Sequence, residues 1–263
     1  MKKFLPKLIL LIVFFYFSEA NAQSRFSHEL GVFFGPAAFQ TDFGVSSDFA
    51  SASQATMAYG ISFYTKFFGS QYNWRSGSTY FSEHFKLKVE LAYINKSNVT
   101  HEGIDPGSSN AEKLAAMTGQ IKLYNAGLNL EYYFLELEDY SSFYRSSGTI
   151  NPFIFGGIHY SYSEPDIFVD GVSLKGQEEP HTGLIDKWQE DAVYLDPQHL
   201  FSAAAGAGVR FGLDKVDFSL EGSYRYFFSD EVDGLNAQDD PANKNNDSMV
   251  FINAGIIYVF GKY

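Results

Sequence analysis

Apolar and polar residues alternate along eight segments of the chain with the period of two that is typical of half-buried β-strands. Each segment is long enough to cross a bilayer as a tilted strand, for which about 9–11 residues are needed. The predicted strands are residues 28–36, 57–68, 84–95, 121–134, 152–163, 200–212, 216–228 and 249–260. The pattern therefore predicts an all-β fold.

The alternation is clearest in the seventh segment, where Phe218, Leu220 and Tyr224 share one face and charged or hydroxyl residues occupy the other. In the third segment, apolar residues alternate with Lys86 and Lys88 in the same way. A soluble β-sandwich is the alternative, since its strands also alternate, but its apolar face would be buried against a second sheet.

The connections between these segments help to choose between a barrel and a sandwich. If the chain begins in the periplasm, every second connection lies outside the cell, and these four are long and polar, as in outer-membrane barrels. We therefore predict an eight-stranded antiparallel transmembrane β-barrel with long extracellular loops, and some local structure within its longest loop. The long connections are residues 37–56, 96–120, 164–199 and 229–248, and the shorter ones are residues 69–83, 135–151 and 213–215.

The first 22 residues have the order of a secretory signal peptide: positive charge, an apolar core and small residues. Three lysines precede the ten apolar residues 8–17, and Ala20, Asn21 and Ala22 follow. Ten residues are too few to span a bilayer as a helix, which takes about 20. The sequence thus predicts a signal peptide at 1–22, cleavage before Gln23, and one barrel domain over 23–263.

The composition narrows the classes of function. Aromatic residues make up 18% of the chain and crowd the predicted strand ends, where barrels carry interfacial girdles. The chain has no cysteine, which excludes disulfides, thiolate zinc sites and cysteine nucleophiles. Its net charge of -12 argues against nucleic acid as a partner, because phosphate binding needs clustered Lys and Arg.

The last predicted strand resembles the terminal signal of outer-membrane barrels, in which a polar residue, a glycine and two aromatics stand at fixed spacing. Asn253, Gly255, Tyr258 and Phe260 match these positions, and three further residues follow. The resemblance implies recognition by the barrel assembly machinery during biogenesis.

The wider chain resembles small outer-membrane β-barrel proteins of the Bacteroidota, in particular a flavobacterial family. The resemblance rests on residues 26–32 with Gly35 and Pro36, on residues 129–133, and on residues 226–236. It covers most of the predicted mature chain and implies an eight-stranded barrel like those of OmpA and OmpX. It implies no activity.

By strand parity, one face of the predicted barrel collects five acidic and five basic side chains. Eight strands enclose a lumen that side chains can fill, so we expect these charges to form a balanced ionic plug. A narrow conducting pore and a catalytic pair of carboxylates are the alternatives. The ten residues are Glu29, Lys66, Lys86, Lys88, Glu90, Glu131, Arg210, Asp217, Glu221 and Arg225.

His159 and Ser161 lie on one face of a predicted strand, which is an arrangement that supports a nucleophilic serine. The pair resembles the His-x-Ser element of barrel enzymes that deacylate lipid A. Tyr162 stands where those enzymes usually carry Asn, and parity points His159 and Ser161 into the lumen, away from lipid. We therefore expect a hydrogen-bonded lumen histidine and no catalytic residues.

The connection 229–248 is rich in Asp, which offers oxygen ligands of the kind that calcium prefers. The spacing is not that of an EF-hand loop, so the first interpretation is a solvated acidic loop, with a divalent-ion site as the alternative. The acids are Asp230, Glu231, Asp233, Asp239, Asp240 and Asp247. We expect no cofactor and no metal.

Taken together, these features predict a non-enzymatic barrel in the cell outer membrane that binds another envelope component. External loops are one expected surface, with Phe168, Trp188 and Tyr194 as aromatic anchors in loop 164–199. The lipid-facing wall is the other, through its small residues Ala203, Ala205 and Ala207. A deacylase-like enzyme and a narrow channel remain as alternatives. The expected partners are outer-membrane lipid, lipopolysaccharide, the assembly machinery and an outer-membrane protein complex.

Overall fold

A computed structural model describes residues 27–41, 43, 54–67, 79–101, 104–137, 148–213, 215–236 and 246–260. The predicted signal peptide, the cleavage site, and Asp239 and Asp240 lie outside the described residues. Among the helices of the described part, none has the length and apolar character needed to span a membrane.

Eight long strands account for most of the described chain, and they confirm the eight predicted segments. A two-residue strand, β6, was not predicted and extends a hairpin at the end of β5. The strands are β1 (Ser27–Gln40), β2 (Thr56–Lys66), β3 (Phe85–Thr100), β4 (Met117–Tyr133), β5 (Thr149–Val169), β6 (Val172–Ser173), β7 (Gln198–Gly212), β8 (Val216–Phe227) and β9 (Ser248–Phe260). Two short helices, α1 (Tyr80–His84) and α2 (Ala111–Ala116), and a 3-10 turn at Asp186–Trp188 lie in the connections.

The sheet closes on itself, because β1 pairs with β2 on one side and with β9 on the other, and every ladder is antiparallel. If paired residues are followed around the ladders from Glu29, the path returns to β1 at Phe39, ten residues further along. Such a stagger is what tilted strands need to form a barrel. The chain is therefore a closed eight-stranded antiparallel barrel, and the sandwich interpretation is wrong.

The outward face of the wall carries a continuous apolar belt. On β5 the belt runs from Ile150 to Tyr160, and on β3 from Phe85 to Tyr93, which are the lengths that tilted strands need to cross a bilayer. Ile158, for example, is 66% exposed, and water-soluble proteins rarely expose such side chains in a large continuous patch. This belt is typical of barrels that span membranes.

Three neighbouring strands, β3, β4 and β5, continue beyond the belt at the end where β1 ends and β2 begins, which we call the outer end. The polarity of their faces inverts there. Within the belt, β4 points Leu128 outward and Asn129 inward; beyond it, Lys122 points outward and Ile121 inward. The predicted ends at residues 95, 121 and 163 were therefore too short, because the apolar residues change faces when the strands leave the belt.

The opposite, inner end of the barrel carries an aromatic cluster around α1. Thr79 and Ser82 form a capping box that starts this short helix. The helix leaves Tyr80 and Phe81 exposed, and the Tyr80 hydroxyl lies 2.7 Å from the hydroxyl of Tyr132. Rings with an apolar body and a polar tip suit the boundary between lipid and water, so this cluster extends the predicted girdle.

Candidate functional site

The inner half of the lumen contains a buried cluster of charges around Glu29. Lys66 Nζ lies 3.5 Å and Lys86 Nζ 3.1 Å from Glu29 Oε1, and Arg210 donates to Glu29 Oε2. Arg210 also donates to Asp217 over 2.7 Å. None of these five side chains is more than 4% exposed, so their charges are compensated by one another and not by water.

A second layer of charges surrounds Lys88, closer to the middle of the barrel. Lys88 Nζ lies 2.6 Å from Glu221 and 3.2 Å from Glu90, which also accepts from Arg225 over 3.3 Å. The same ammonium lies 5.6 Å from the ring centre of Phe33, so aromatic faces complete its surroundings. All ten lumen charges predicted from parity are buried. Nine of them take part in ion pairs, as the predicted ionic plug requires, whereas Glu131 instead accepts a hydrogen bond from the Tyr133 hydroxyl.

His159 and Ser161 point into the lumen, as parity predicted. The ring nitrogens of His159 lie 3.1 Å from Asn125 Oδ1 and 3.0 Å from Asn129 Oδ1. Asn125 also donates to Ser161 Oγ over 2.9 Å, so the amide stands between the imidazole and the hydroxyl. Both side chains are at most 3% exposed, and this buried arrangement offers a lipid substrate no access to Ser161.

Gly127 is the reason that His159 fits against the neighbouring strand. A β-carbon at Gly127 would lie 2.3 Å from the imidazole, and the two residues are paired across β4 and β5. Sequence reasoning missed Asn125, Asn129 and Gly127. Only the ladder register shows that they meet the histidine.

The outer half of the interior is apolar and is filled partly by the outer loops. Inward side chains of the strands meet side chains of loop 170–197 and of segment 229–236, and together they form what we call the outer cap. The buried core of the cap contains Phe39, Phe43, Ile94, Val99, Met117, Ile121, Leu123, Ile167, Leu174, Leu184, Leu200, Phe227, Val232, Leu235, Met249 and Phe251.

The aromatic residues of the longest loop do not all serve as exposed anchors, which corrects the prediction for Trp188. This ring is half-buried, packs against the core of the cap and stacks on His101, with ring centres 5.6 Å apart. His101 packs in turn against the tilted ring of Phe43, with ring centres 4.7 Å apart, and burial lowers the pKa of the histidine to about 4. Phe168 and Tyr194 are also only partly exposed. The predicted local structure in loop 164–199 is present, as the end of β5, β6 and the 3-10 turn.

The acidic connection 229–248 is not simply solvated, contrary to the first interpretation. Asp233 and Asp247 are buried, with exposures of 0% and 2%. Asp247 accepts from the backbone N–H of Val232 over 2.8 Å, and Asp233 accepts from that of Leu235 over 2.9 Å. Within the described ranges, no group of three or more His, Asp or Glu is arranged to hold a metal ion.

The small residues of the wall lie where parity placed them. Ala205 and Ala207 of β7 are exposed on the outward face, and Ala203 is partly exposed. Ala205 pairs with Gly156 of β5 and Ala207 with Gly222 of β8, so the small-residue patch crosses three strands. Around Gly222, no heavy atom lies within 4 Å of where a β-carbon would stand.

No family model matches the chain, and no curated protein matches it. Several solved structures are similar to the chain, among them the following three. A major outer membrane protein from Thermus thermophilus has a TM-score of 0.47 at 10% identity, over 89% of this chain and 99% of that one. Ail, the attachment invasion locus protein of Yersinia pestis, solved with the heparin analogue sucrose octasulfate, has a TM-score of 0.41 at 13% identity, over 89% and 99%.

Neisserial surface protein A has a TM-score of 0.39 at 12% identity, over 91% of this chain and 100% of that one. The TM-scores of all three are below 0.5, so these similarities carry no argument about function. The barrel itself is established by the chain's own closed set of ladders.

Proposed function

We propose that the chain is an outer-membrane barrel whose acidic outer cap binds another component of the cell envelope. The apolar belt supports membrane insertion, and the terminal strand supports delivery by the barrel assembly machinery. Buried charges fill the inner half of the interior and the core of the cap fills the outer half, so we assign the interior a structural role. The function is therefore assigned to the surface of the cap.

The observation that carries this proposal is the surface charge of loop 170–197. The loop exposes seven acidic side chains and only two lysines, while Leu174 and Leu184 fix it to the core. A surface held in one conformation loses little entropy when it binds, and uniform charge favours a partner of the opposite sign. We propose a protein with a basic surface as that partner. The exposed acids are Asp170, Glu178, Glu179, Asp186, Glu190, Asp191 and Asp196.

The test is purification of the tagged protein in mild detergent, followed by mass spectrometry of what is bound. The informative variant combines Glu178→Gln, Glu190→Gln and Asp196→Asn, which removes charge from the cap surface without touching its core. Shortening the loop would be less informative, because it would also remove Leu174 and Leu184 from the core. Glu136→Gln, an exposed acid near the inner end, is the matched control.

We expect a stoichiometric basic partner with the wild type and the control, and a loss of at least about tenfold with the cap variant. Raising the salt concentration should also weaken binding, since salt screens exposed charges. Retention of the partner by the cap variant, with loss in a variant carrying Ala205→Leu and Ala207→Leu, would assign binding to the wall instead. No partner in any sample would leave a stand-alone structural barrel.

A further inference from the structure

Residues 232–235 of the acidic segment form the innermost layer that closes the outer mouth. Val232, Asp233 and Leu235 are each 0% exposed. The Ser163 hydroxyl of β5 donates to the carbonyl oxygen of Val232 over 2.8 Å. The backbone N–H of Tyr194 donates to the carbonyl oxygen of Gly234, also over 2.8 Å. The segment is thus held between β5 and loop 170–197.

Gly234 makes this close approach possible. Its φ of 83° lies in the left-handed region, and a β-carbon there would stand 2.8 Å from the side chain of Pro165. The backbone turns at this residue and carries Asp233 inward, where an acidic side chain would normally not be placed. The position of Asp233 is therefore fixed by the fold of the segment.

The carboxyl group of Asp233 has no positive partner among the described residues. Its Oδ1 accepts from the N–H of Leu235, but its Oδ2 makes no hydrogen bond. Burial is the largest cause that raises the pKa of Asp233, to about 7, and the negative charge of Asp230 adds to it, while the Leu235 N–H and the Thr41 hydroxyl act in the opposite direction. The carboxyl group is thus half protonated near neutral pH.

Among the residues that the structure describes, the other ionisable groups around the segment bring no compensating charge to Asp233. Glu231 lies on the segment itself, Asp247 accepts from its backbone, and Tyr194 belongs to the loop packed against it. His101 lies beyond Phe43 and is uncharged at neutral pH, because burial lowers its pKa to about 4. An ionised Asp233 would therefore be a buried charge without compensation, which is strongly unfavourable.

We propose that segment 229–236 is a pH-dependent latch, which stays in the outer mouth while Asp233 carries a proton and leaves the mouth when that proton is lost. Because the pKa is raised in the closed state, the protonated form favours closure fully below the ordinary aspartate pKa of about 4. This advantage is lost as the pH rises to about 7 and stays lost above it. Three pKa units correspond to a change of about a thousandfold in the equilibrium between closed and open latch. Opening would expose the apolar side chains of Val232 and Leu235.

Hydrogen exchange of the purified barrel in detergent, between pH 5 and pH 8.5 with a chelator present, tests the latch directly. The reporters are the amides of Val232 and Leu235, after correction for the intrinsic pH dependence of exchange. In the wild type we expect their protection to fall by about a hundredfold between pH 5 and pH 8.5, since the rest of the thousandfold change lies below pH 5. In Asp233→Asn, which keeps an acceptor for Leu235 but cannot ionise, protection should stay high throughout. Glu231→Gln makes the same chemical change two residues away and should leave the pH dependence in place.

Protection that does not change with pH in the wild type would overturn the proposal, and so would an unchanged pH dependence in Asp233→Asn. If Asp233→Asn does not assemble, Asp230→Asn provides the second variant. Removing the negative charge of Asp230 should lower the pKa of Asp233 in the closed state, so the loss of protection with rising pH should be smaller and should level off at a lower pH than in the wild type. A loss as large as that of the wild type would contradict the assignment to Asp233. Barrel amides such as that of Leu220 should stay protected in every sample.

Discussion

The two halves of the barrel interior are filled by opposite chemistries. Around Glu29 and Lys88 the interior consists of paired charges, whereas around Leu123 and Phe227 it consists of hydrocarbon. The difference follows the surroundings of the wall. Where the outward face of the wall carries the apolar belt, the alternate residues that face inward are polar. Where β3, β4 and β5 extend beyond the belt, the residues that face inward are apolar.

Because of this inversion, different features of the sequence determine the structure of the two halves. In the inner half, a shift of one residue in register would turn buried charges such as Lys86 and Lys88 toward the apolar surroundings, so the charges enforce the register. In the outer half, the strands have no belt to face, and their apolar inner faces must be covered by loops. Loop 170–197 and segment 229–236 therefore cover the apolar inner faces that the strands leave open at this end.

The largest expected effect comes from removing the strand end that closes the inner half. Residues 257–260 of β9 pair with Gly31, Leu30, Glu29 and His28 of β1, so truncation before Tyr258 opens the ladder beside Glu29. We expect complete loss of the folded barrel, measured as absence of the heat-dependent shift in gel mobility and of the protein from the outer membrane. Removal of residues 261–263 alone is the control and should leave assembly intact. Normal assembly of the longer truncation would contradict the closing role of this strand.

Glu29→Gln tests the ionic half at its most connected residue. The change leaves Lys66, Lys86 and Arg210 buried without their shared carboxylate, and we expect a loss of roughly 3–5 kcal/mol in the free energy of unfolding. Urea unfolding of the barrel in lipid vesicles measures it. Glu112→Gln, at an exposed position of α2, should change little. If both variants unfold alike, the charges of the inner half do not specify the fold.

Leu184→Ala tests the apolar half. Leu184 is 0% exposed within the cap, and its truncation should destabilise the cap by about 2–4 kcal/mol. Because the residue lies in a loop, we expect faster hydrogen exchange in residues 170–197 and an almost unchanged urea midpoint of the barrel. Thr182→Ala, at an exposed position of the same loop, is the control. A loss of the whole barrel in Leu184→Ala would mean that the two halves fold as one unit.

His159→Ala is expected to have the smallest effect. It removes the hydrogen bonds to Asn125 and Asn129, and should lower the free energy of unfolding by about 1–3 kcal/mol. We also expect the mass spectrum of lipid A to be unchanged in cells that carry this variant, since Ser161 is enclosed by the wall. A shift by the mass of one acyl chain would instead support a deacylase.

The inner half could be predicted from the sequence, and the outer half could not, for one physical reason. The alternation along a strand predicts that Lys86 and Glu221 face the lumen, provided that the apolar residues stay on the opposite face. Within the belt, the apolar residues do stay on that face. Beyond Tyr124 the apolar residues move to the other face, so the alternation that predicts β4 changes phase at Leu123, and the predicted strand stops at residue 121, four residues short of Met117. The burial of Asp233 and Trp188 could not be predicted from the sequence either, because residues from distant loops form their surroundings.

The filled interior is tested most directly by conductance in planar bilayers. We predict no steady channel openings for the wild type at pH 5 or at pH 8.5, because the charges around Glu29 and Lys88 fill the lumen even when the latch is open. Leu184→Ala should behave in the same way, since it loosens only the cap. Large, steady conductance steps of the wild type would contradict the account and support a channel.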